Sequence, residues 1–348
     1  MPIVSYETLD AALDRLAGCG PALANGNFNH APMVAEALCA LGRPEAVLPW
    51  IERYRPRIAP RQAFGEAIDA ARWRHELGRR ERFAAWGRFF AGALDTDEWR
   101  SVLDLWAARL APGVSAAATH GAIRVGHAAR GLAERETSPR RRELADALAS
   151  WAASYAELPS GEFPGAAGLS PREALARVPV VPPNRRRPGN IVAALARLAE
   201  FPDFAPAIGL AALDGDIAAR LAELTELFAR VYLANARSIA TVIAFIHGVT
   251  SLAAIGNIAA HVAEATAGAL LRYGWQAGCG LYACFAGDTP FATDVAEIGD
   301  AESLVERAVA NGDEHVIKFA EACLQRHRVS PSPAYPACVA HALGSVAR

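Results

Sequence analysis

Lysine is nearly missing from this chain. Of the 35 lysine and arginine residues among its 348, only Lys318 is a lysine. An alanine- and arginine-rich composition points to a GC-rich coding sequence, in which lysine codons are scarce, so the scarcity excludes little and the one survivor says more. Other absences exclude whole classes. The six cysteines (19, 39, 279, 284, 323 and 338) form no CxxC pair and no small-scaffold spacing. That excludes a zinc ribbon and a disulfide framework, and with no N-terminal signal-like segment it predicts reduced thiols in a cytoplasmic protein. The net charge of −2, with dispersed arginines, leaves no basic face for a nucleic acid.

Catalytic signatures are missing too. There is no P-loop, no nucleophile elbow and no S-x-x-K. "GCGLYA" at 278–283 spells G-x-G-x-x-A but has no strand before it and no βαβ unit around it. "HELGR" at 75–79 opens like a zinc-protease motif and lacks the second histidine. Runs of alternating β-branched residues are almost absent, which argues against a sheet protein.

What remains is helical patterning. "YETLDAALDRLAG", "APMVAEALCALG", "EWRSVLDLWAARLAPG", "RRRELADALASWAASYAE" and "DIAARLAELTELFARVYLANA" carry apolar residues at helical spacing. The expected class is all-α, a large array of a dozen or more helices. Proline and glycine cluster at 157–171 and 178–190, which reads as a long surface connection around 157–190. The least polar stretch, 238–262, is long enough to span a bilayer. It carries His247, Thr250, Ser251, Asn257 and His261, so a buried core helix, or two broken at "HGVTS", where a helix break is expected beside His247, is the reading rather than a membrane segment.

Five of nine histidines, His30, His120, His127, His247 and His315, stand in short polar contexts within apolar ones. Singly, each reads as a hydrogen-bonded core residue; as a set beside a buried lysine they read as metal ligands, because imidazole is the commonest such ligand and burial of many without a use is costly. Helix geometry sorts them. His315 and Lys318 share a face about 4.5 Å apart along an axis. His120 and His127 are roughly 10 Å apart, and His247 and His261 about 21 Å, so one of each pair fits a given ion. An apolar setting lowers the lysine pKa, and a neutral amine can add carbon dioxide to become a carbamate, an anionic oxygen ligand. An ammonium snorkelling to solvent or paired with Glu321 or Glu314 is the alternative.

"NHAPMVAEALCALGRP", "THGAIRVGHAARGL", "HGVTS" and "DEHVIKFAEACL", in this order, resemble the questin oxidase-like family over about residues 20 to 330. The resemblance implies an all-helical fold and oxygen-dependent ring opening of anthraquinone-type aromatics, by Baeyer–Villiger or oxidative C–C cleavage chemistry, some members using NADPH. It places the matching residues at His30, His120, His247, His315 and Lys318. The chain is short for the family, which bears on the substrate pocket.

The combined expectation is one all-helical domain over 1–348 holding a mononuclear non-haem Fe(II). Four imidazoles and a carbamate would fill five positions and leave one open, a set that suits iron better than four-coordinate zinc. The partners would be a small aromatic substrate and dioxygen, with NADPH as an external reductant and neither nucleic acid nor membrane. His127, His261, Thr250 and Trp86 are expected around the metal or in the pocket, Phe89, Phe90, Trp275 and Tyr282 being further aromatic candidates. Two other readings stand beside it: a metal-dependent hydrolase, which needs a second metal and Asp ligands, and a non-catalytic helical scaffold.

Overall fold

The least polar stretch of the sequence becomes the axle of the molecule. In the computed structural model, which describes residues 5–161 and 168–346, Ile239–Ala259 is one unbroken helix of 21 residues. The chain before it forms α1 (Leu9–Leu16), α2 (Ala31–Ala40), α3 (Pro44–Tyr54), α4 (Phe83–Thr96), α5 (Trp99–Leu110), α6 (His120–Glu134), α7 (Ser138–Ser154), α8 (Pro171–Leu175), α9 (Ile191–Ala196) and α10 (Ile217–Asn235). The axle is α11, and α12 (Glu264–Phe285), α13 (Ala301–Asn311), α14 (Glu314–Val329) and α15 (Ala334–Ser345) follow. The fold is all-α, as the patterning predicts.

Helix α11 packs against α6, α10, α12 and α14. That explains why it is apolar on every side: a helix surrounded by helices needs no polar face. By length and composition it could cross a membrane, and it is the one such helix among the described residues. Its "HGVTS" segment does not break. A mid-helix glycine costs about 1 kcal/mol against alanine, and packing on four sides offsets that.

Helices α6 and α11 are drawn close by a second glycine. A Cβ on Gly126 would lie 2.6 Å from the backbone oxygen of Ala254 in α11, a distance no real side chain tolerates. The consequence matters for function, because these two helices carry His120 and His247.

The 157–190 connection is more structured than its composition suggests. The Ser170 hydroxyl and the Glu173 carboxylate form a reciprocal cap on α8. Leu158, Leu175 and Val178 belong to the same hydrophobic core as residues from Leu9 to Val346. The two sides of the connection therefore share one interior. The 162–167 part of the proline- and glycine-rich run lies outside the described residues. A small two-stranded antiparallel sheet, β1 (Cys19–Leu23) with β2 (Ile58–Pro60) after α2 and α3, pairs Cys19 with Pro60 and Leu23 with Ile58.

A candidate histidine metal centre

Each of the four histidines picked out in the sequence is aimed by its own local device. Asn29 anchors the chain ahead of α2: its Nδ2 donates to the Gly20 carbonyl at 2.9 Å and its Oδ1 accepts from the Ala31 N–H at 3.0 Å. His30, at the N-cap of α2, makes no side-chain capping bond, so its ring is left for other work. His120 opens α6 after three successive non-glycine residues in the left-handed region: Ala117, Ala118 and Thr119, at φ 49, 56 and 67°. That turn brings the Ala117 carbonyl to 2.6 Å from His120 Nδ1. His247, in the middle of α11, sets its Nδ1 2.7 Å from the Ile243 carbonyl one turn back. His315 sits in the first turn of α14, where Asp313 Oδ1 accepts from the backbone N–H groups of His315 and Val316 and also faces His315 Nδ1 at 3.5 Å.

These devices fix tautomers. A carbonyl oxygen accepts only, so His120 and His247 carry their protons on Nδ1 and present bare Nε2 lone pairs. Burial first, then repulsion from Lys318 and from one another, holds His30, His120 and His247 well below the usual imidazole range, so all three are neutral at pH 7. Yet His120 Nε2 lies 3.0 Å from His30 Nε2 and 3.3 Å from His247 Nε2. The second contact sets lone pair against lone pair with no proton to share. His30 Nδ1 is itself buried without a hydrogen-bond partner.

A cation bound between these nitrogens would relieve the contact. Two nitrogens bound at about 2.1 Å to one ion are about 3.0 Å apart at a right angle and about 3.4 Å apart at the tetrahedral angle. Both measured separations fall in that interval. Ligand atoms of His30, His120 and His315 all lie within 4.8 Å of one another, and His247 joins the group through His120. The ring centroids of His30 and His315 are 4.7 Å apart, those of His247 and His315 5.6 Å. The donor set is nitrogen-rich and neutral, which suits a borderline divalent ion such as iron or zinc and leaves its charge uncompensated.

Lys318 lies one turn along α14 from His315 and is 2% exposed. Its charge is among the causes that depress His30, His120 and His247, so the amine lies within electrostatic reach of the cluster. Burial pushes that amine down to about 8, with Glu314 and Asp313 pulling the other way.

The four imidazoles line one end of a cavity of about 720 Å³. Phe28, two residues before His30, lines it too and stacks on His120, with ring centroids 4.7 Å apart. Phe83, Ile191, Ile243 and Phe285 add apolar wall, and Glu314 adds a carboxylate. The β1–β2 pair contributes Pro21, Ala22 and Pro60. Phe28 was within reach of sequence reasoning, since "NFNH" sets it beside a candidate ligand. Phe83 and Phe285 carry no such local signal.

The residues expected around the metal or in the pocket lie elsewhere. His127 turns away from His120 and bonds Glu36 Oε2 at 2.6 Å. Glu36 also takes Tyr6 and Arg130, and Arg130 holds Glu321 in turn. Burial works against the charge on Glu36, but Arg130 and His127 hold its carboxyl down to about 2. Seven residues along α6 carry His127 two turns down the helix, into this ionic layer. His261, beyond the end of α11, packs on Trp99. The Thr250 hydroxyl donates to the Ile246 carbonyl at 2.9 Å, as a buried mid-helix threonine does when no other acceptor is near. Trp86 sits in an aromatic cluster with Phe89, Phe90 and Trp106, and Trp275 donates to the Ala207 carbonyl. None of these lines the cavity.

Comparison with curated proteins finds no match. A family model described as questin oxidase-like matches residues 28–323, a span that holds His30, His120, His247, His315 and Lys318 along with most of the helices that carry the cavity, and the chain therefore belongs to the questin oxidase-like family.

Proposed function

We propose that this chain is an oxygen-dependent oxidoreductase acting on an aromatic or quinoid polyketide-like substrate. In this reading a single non-haem iron(II) is held by His30, His120, His247 and His315, with Lys318 as its carbamate. The observation that carries the proposal is the set of buried, neutral imidazoles whose Nε2 atoms crowd to 3.0 and 3.3 Å at one end of a cavity of about 720 Å³. That volume lies within the usual range for a site enclosing a small organic molecule, about 300–1,000 Å³.

The protein's own groups have definable tasks. Ala117 and Ile243 fix the ring orientation of His120 and His247 through their carbonyls. Phe28 supplies an aromatic face over His120 on which a flat substrate can lie. Burial holds back protons that would otherwise compete for the imidazole lone pairs. With its pKa near 8, roughly a tenth of the Lys318 amine is neutral at pH 7. That fraction can add carbon dioxide, releasing one proton and leaving an anion to balance neutral ligands. The ion would supply dioxygen activation. In a monooxygenase stoichiometry one oxygen atom enters the ring and the other leaves as water, with two electrons from NADPH; a ring-cleaving dioxygenase would place both atoms in the product and need no reductant.

The hydrolase reading has less support. Asp313 uses its Oδ1 on the first turn of α14, and the described residues hold one cluster of three or more metal-binding groups. The scaffold reading offers no reason for bare lone pairs in contact.

The test combines metal analysis of the purified protein with oxygen uptake. Iron near one equivalent per chain, and uptake that requires both the iron and a hydroxyanthraquinone, are expected. Two zinc ions per chain with no oxygen uptake would favour the hydrolase, and a metal-free protein that stays metal-free after iron(II) addition would leave the scaffold.

A further inference from the structure

The cavity wall carries its charge unevenly. Its buried end is the histidine cluster, and its exposed side includes Arg80, Gln62 and Asn27. The arginines near Arg80 are engaged. Arg79 pairs with Glu76 and Glu81, Arg82 pairs with Glu76, and Arg61 holds Asp146. The two carboxylates in the wall are engaged as well, Glu81 by Arg79 and Glu314 by Arg57 at 3.6 Å. Arg80 holds no carboxylate, carbonyl or ring among the described residues, and neither side-chain amide, of Gln62 or of Asn27, holds a hydrogen bond there. Among the described residues that line the cavity, one guanidinium is therefore left without a counter-charge, at the solvent side of an apolar chamber.

We propose that Arg80 is an anion anchor. The substrate would then be a planar aromatic that carries a carboxylate, or an equally acidic group, at the end remote from the ring presented to the histidines. This rests on the aromatic-substrate reading above and narrows it. A planar guanidinium fork matches a carboxylate with two parallel hydrogen bonds, and Gln62 and Asn27 supply further donors. Orientation follows from it: anchoring the acidic end at the mouth turns the opposite ring toward Phe28 and the imidazoles, so Arg80 selects which bond is presented for reaction.

The test is calorimetric titration of the purified, metal-replete protein with two matched probes, anthraquinone-2-carboxylate and the neutral 2-(hydroxymethyl)anthraquinone. The carboxylate is expected to bind about threefold to tenfold more tightly, since a partly solvated charge pair is worth little more. The preference should shrink as salt rises. Arg80→Gln should remove it by weakening the carboxylate alone, and Arg80→Lys should restore part of it, charge without the fork. Equal binding of both probes by the wild type, or a preference that survives Arg80→Gln, overturns the anchor while leaving the aromatic cavity intact. If neither probe binds, the aromatic-substrate reading falls and the anchor falls with it.

Discussion

A lysine at 2% exposure is a cost unless something uses it. Linkage turns that cost into a measurement. Lys318 has its pKa lowered from 10.5 to about 8 in the folded chain. Between those values the unfolded chain binds the proton and the folded chain does not, so stability rises with pH across the window and is lost as pH falls through it. For protein stripped of metal, the Lys318→Met variant should therefore be more stable than wild type below pH 8, by roughly 3 kcal/mol at most, and the gap should close toward pH 10.5. Denaturant titrations of both proteins at pH 7 and pH 10 check this; a gap that does not change with pH means the lysine is charged and satisfied. With metal present the proposed carbamate predicts that the ranking inverts at neutral pH, because Lys318→Met, like Lys318→Ala and Lys318→Arg, would remove that anionic ligand and should lose most of the bound ion. A second comparison separates the two histidines of α6. His120→Ala should empty the site. His127→Ala should keep the ion while destabilising the fold by about 1–3 kcal/mol, the usual cost of leaving a buried group such as Glu36 short of a partner. Equal metal loss in the two would overturn the separation drawn here. At this scale the sequence was readable where chemistry is local. Lys318 stands three residues from His315, and the seven-residue spacing on one helix allowed only one of His120 and His127 at a given ion, the family resemblance pointing to His120. Phe83, Phe285 and Arg80 reach the cavity only by tertiary approach, and nothing near them in the chain announces it.

Among the elements, the turn before α6 holds the most strain. Three consecutive left-handed residues without glycine cost about 1–2 kcal/mol each, and the return is the Ala117 carbonyl against His120. Ala118→Gly should relieve part of this, raising stability by about 0.5–1 kcal/mol with metal content unchanged. A loss of stability on that substitution would mean the turn is held by packing of the Ala118 methyl instead. The sequence "SAAATHG" gives no warning, since alanine is the strongest helix former and favours a continuous helix there. The β1–β2 pair was hidden for a similar reason: "CGPAL" contains two residues that strands avoid, and pairing at the cavity rim overrides them. The expected break in α11 failed in the opposite direction. Glycine and threonine weaken an isolated helix, but α11 is enclosed by four others, and that enclosure is invisible to local propensity. Helix existence and type were legible because burial imposes a period on the sequence, whereas interruptions depend on neighbours the chain has not yet met.

At the scale of the whole molecule, the four imidazoles come from the start of α2, the start of α6, the middle of α11 and the start of α14, from both sides of the 157–190 connection. Four short motifs far apart in sequence were enough to nominate them, yet no sequence argument could show that the helices meet. Close approach makes the meeting possible, and Gly126 against Ala254 is one such point. Metal-free protein should consequently be a strained version of the same fold, with lone pairs in contact and nothing between them. An ion that binds only the folded state stabilises it by mass action, about 2.7 kcal/mol at a hundredfold excess over Kd. Chelation should lower Tm by several degrees, and amide exchange should quicken first at the His120 end of α6 and at the first turns of α2 and α14, while α10 and α12 keep their protection. Acid should have the same effect as the chelator. His30, His120 and His247 are held neutral when folded, so the unfolded chain gains protons first as pH falls below about 6.5, and stability and bound metal should decline together from there. Exchange that quickens uniformly over all helices on chelation, or a Tm indifferent to it, would mean that the histidines are closed by packing alone and that no ion belongs between them.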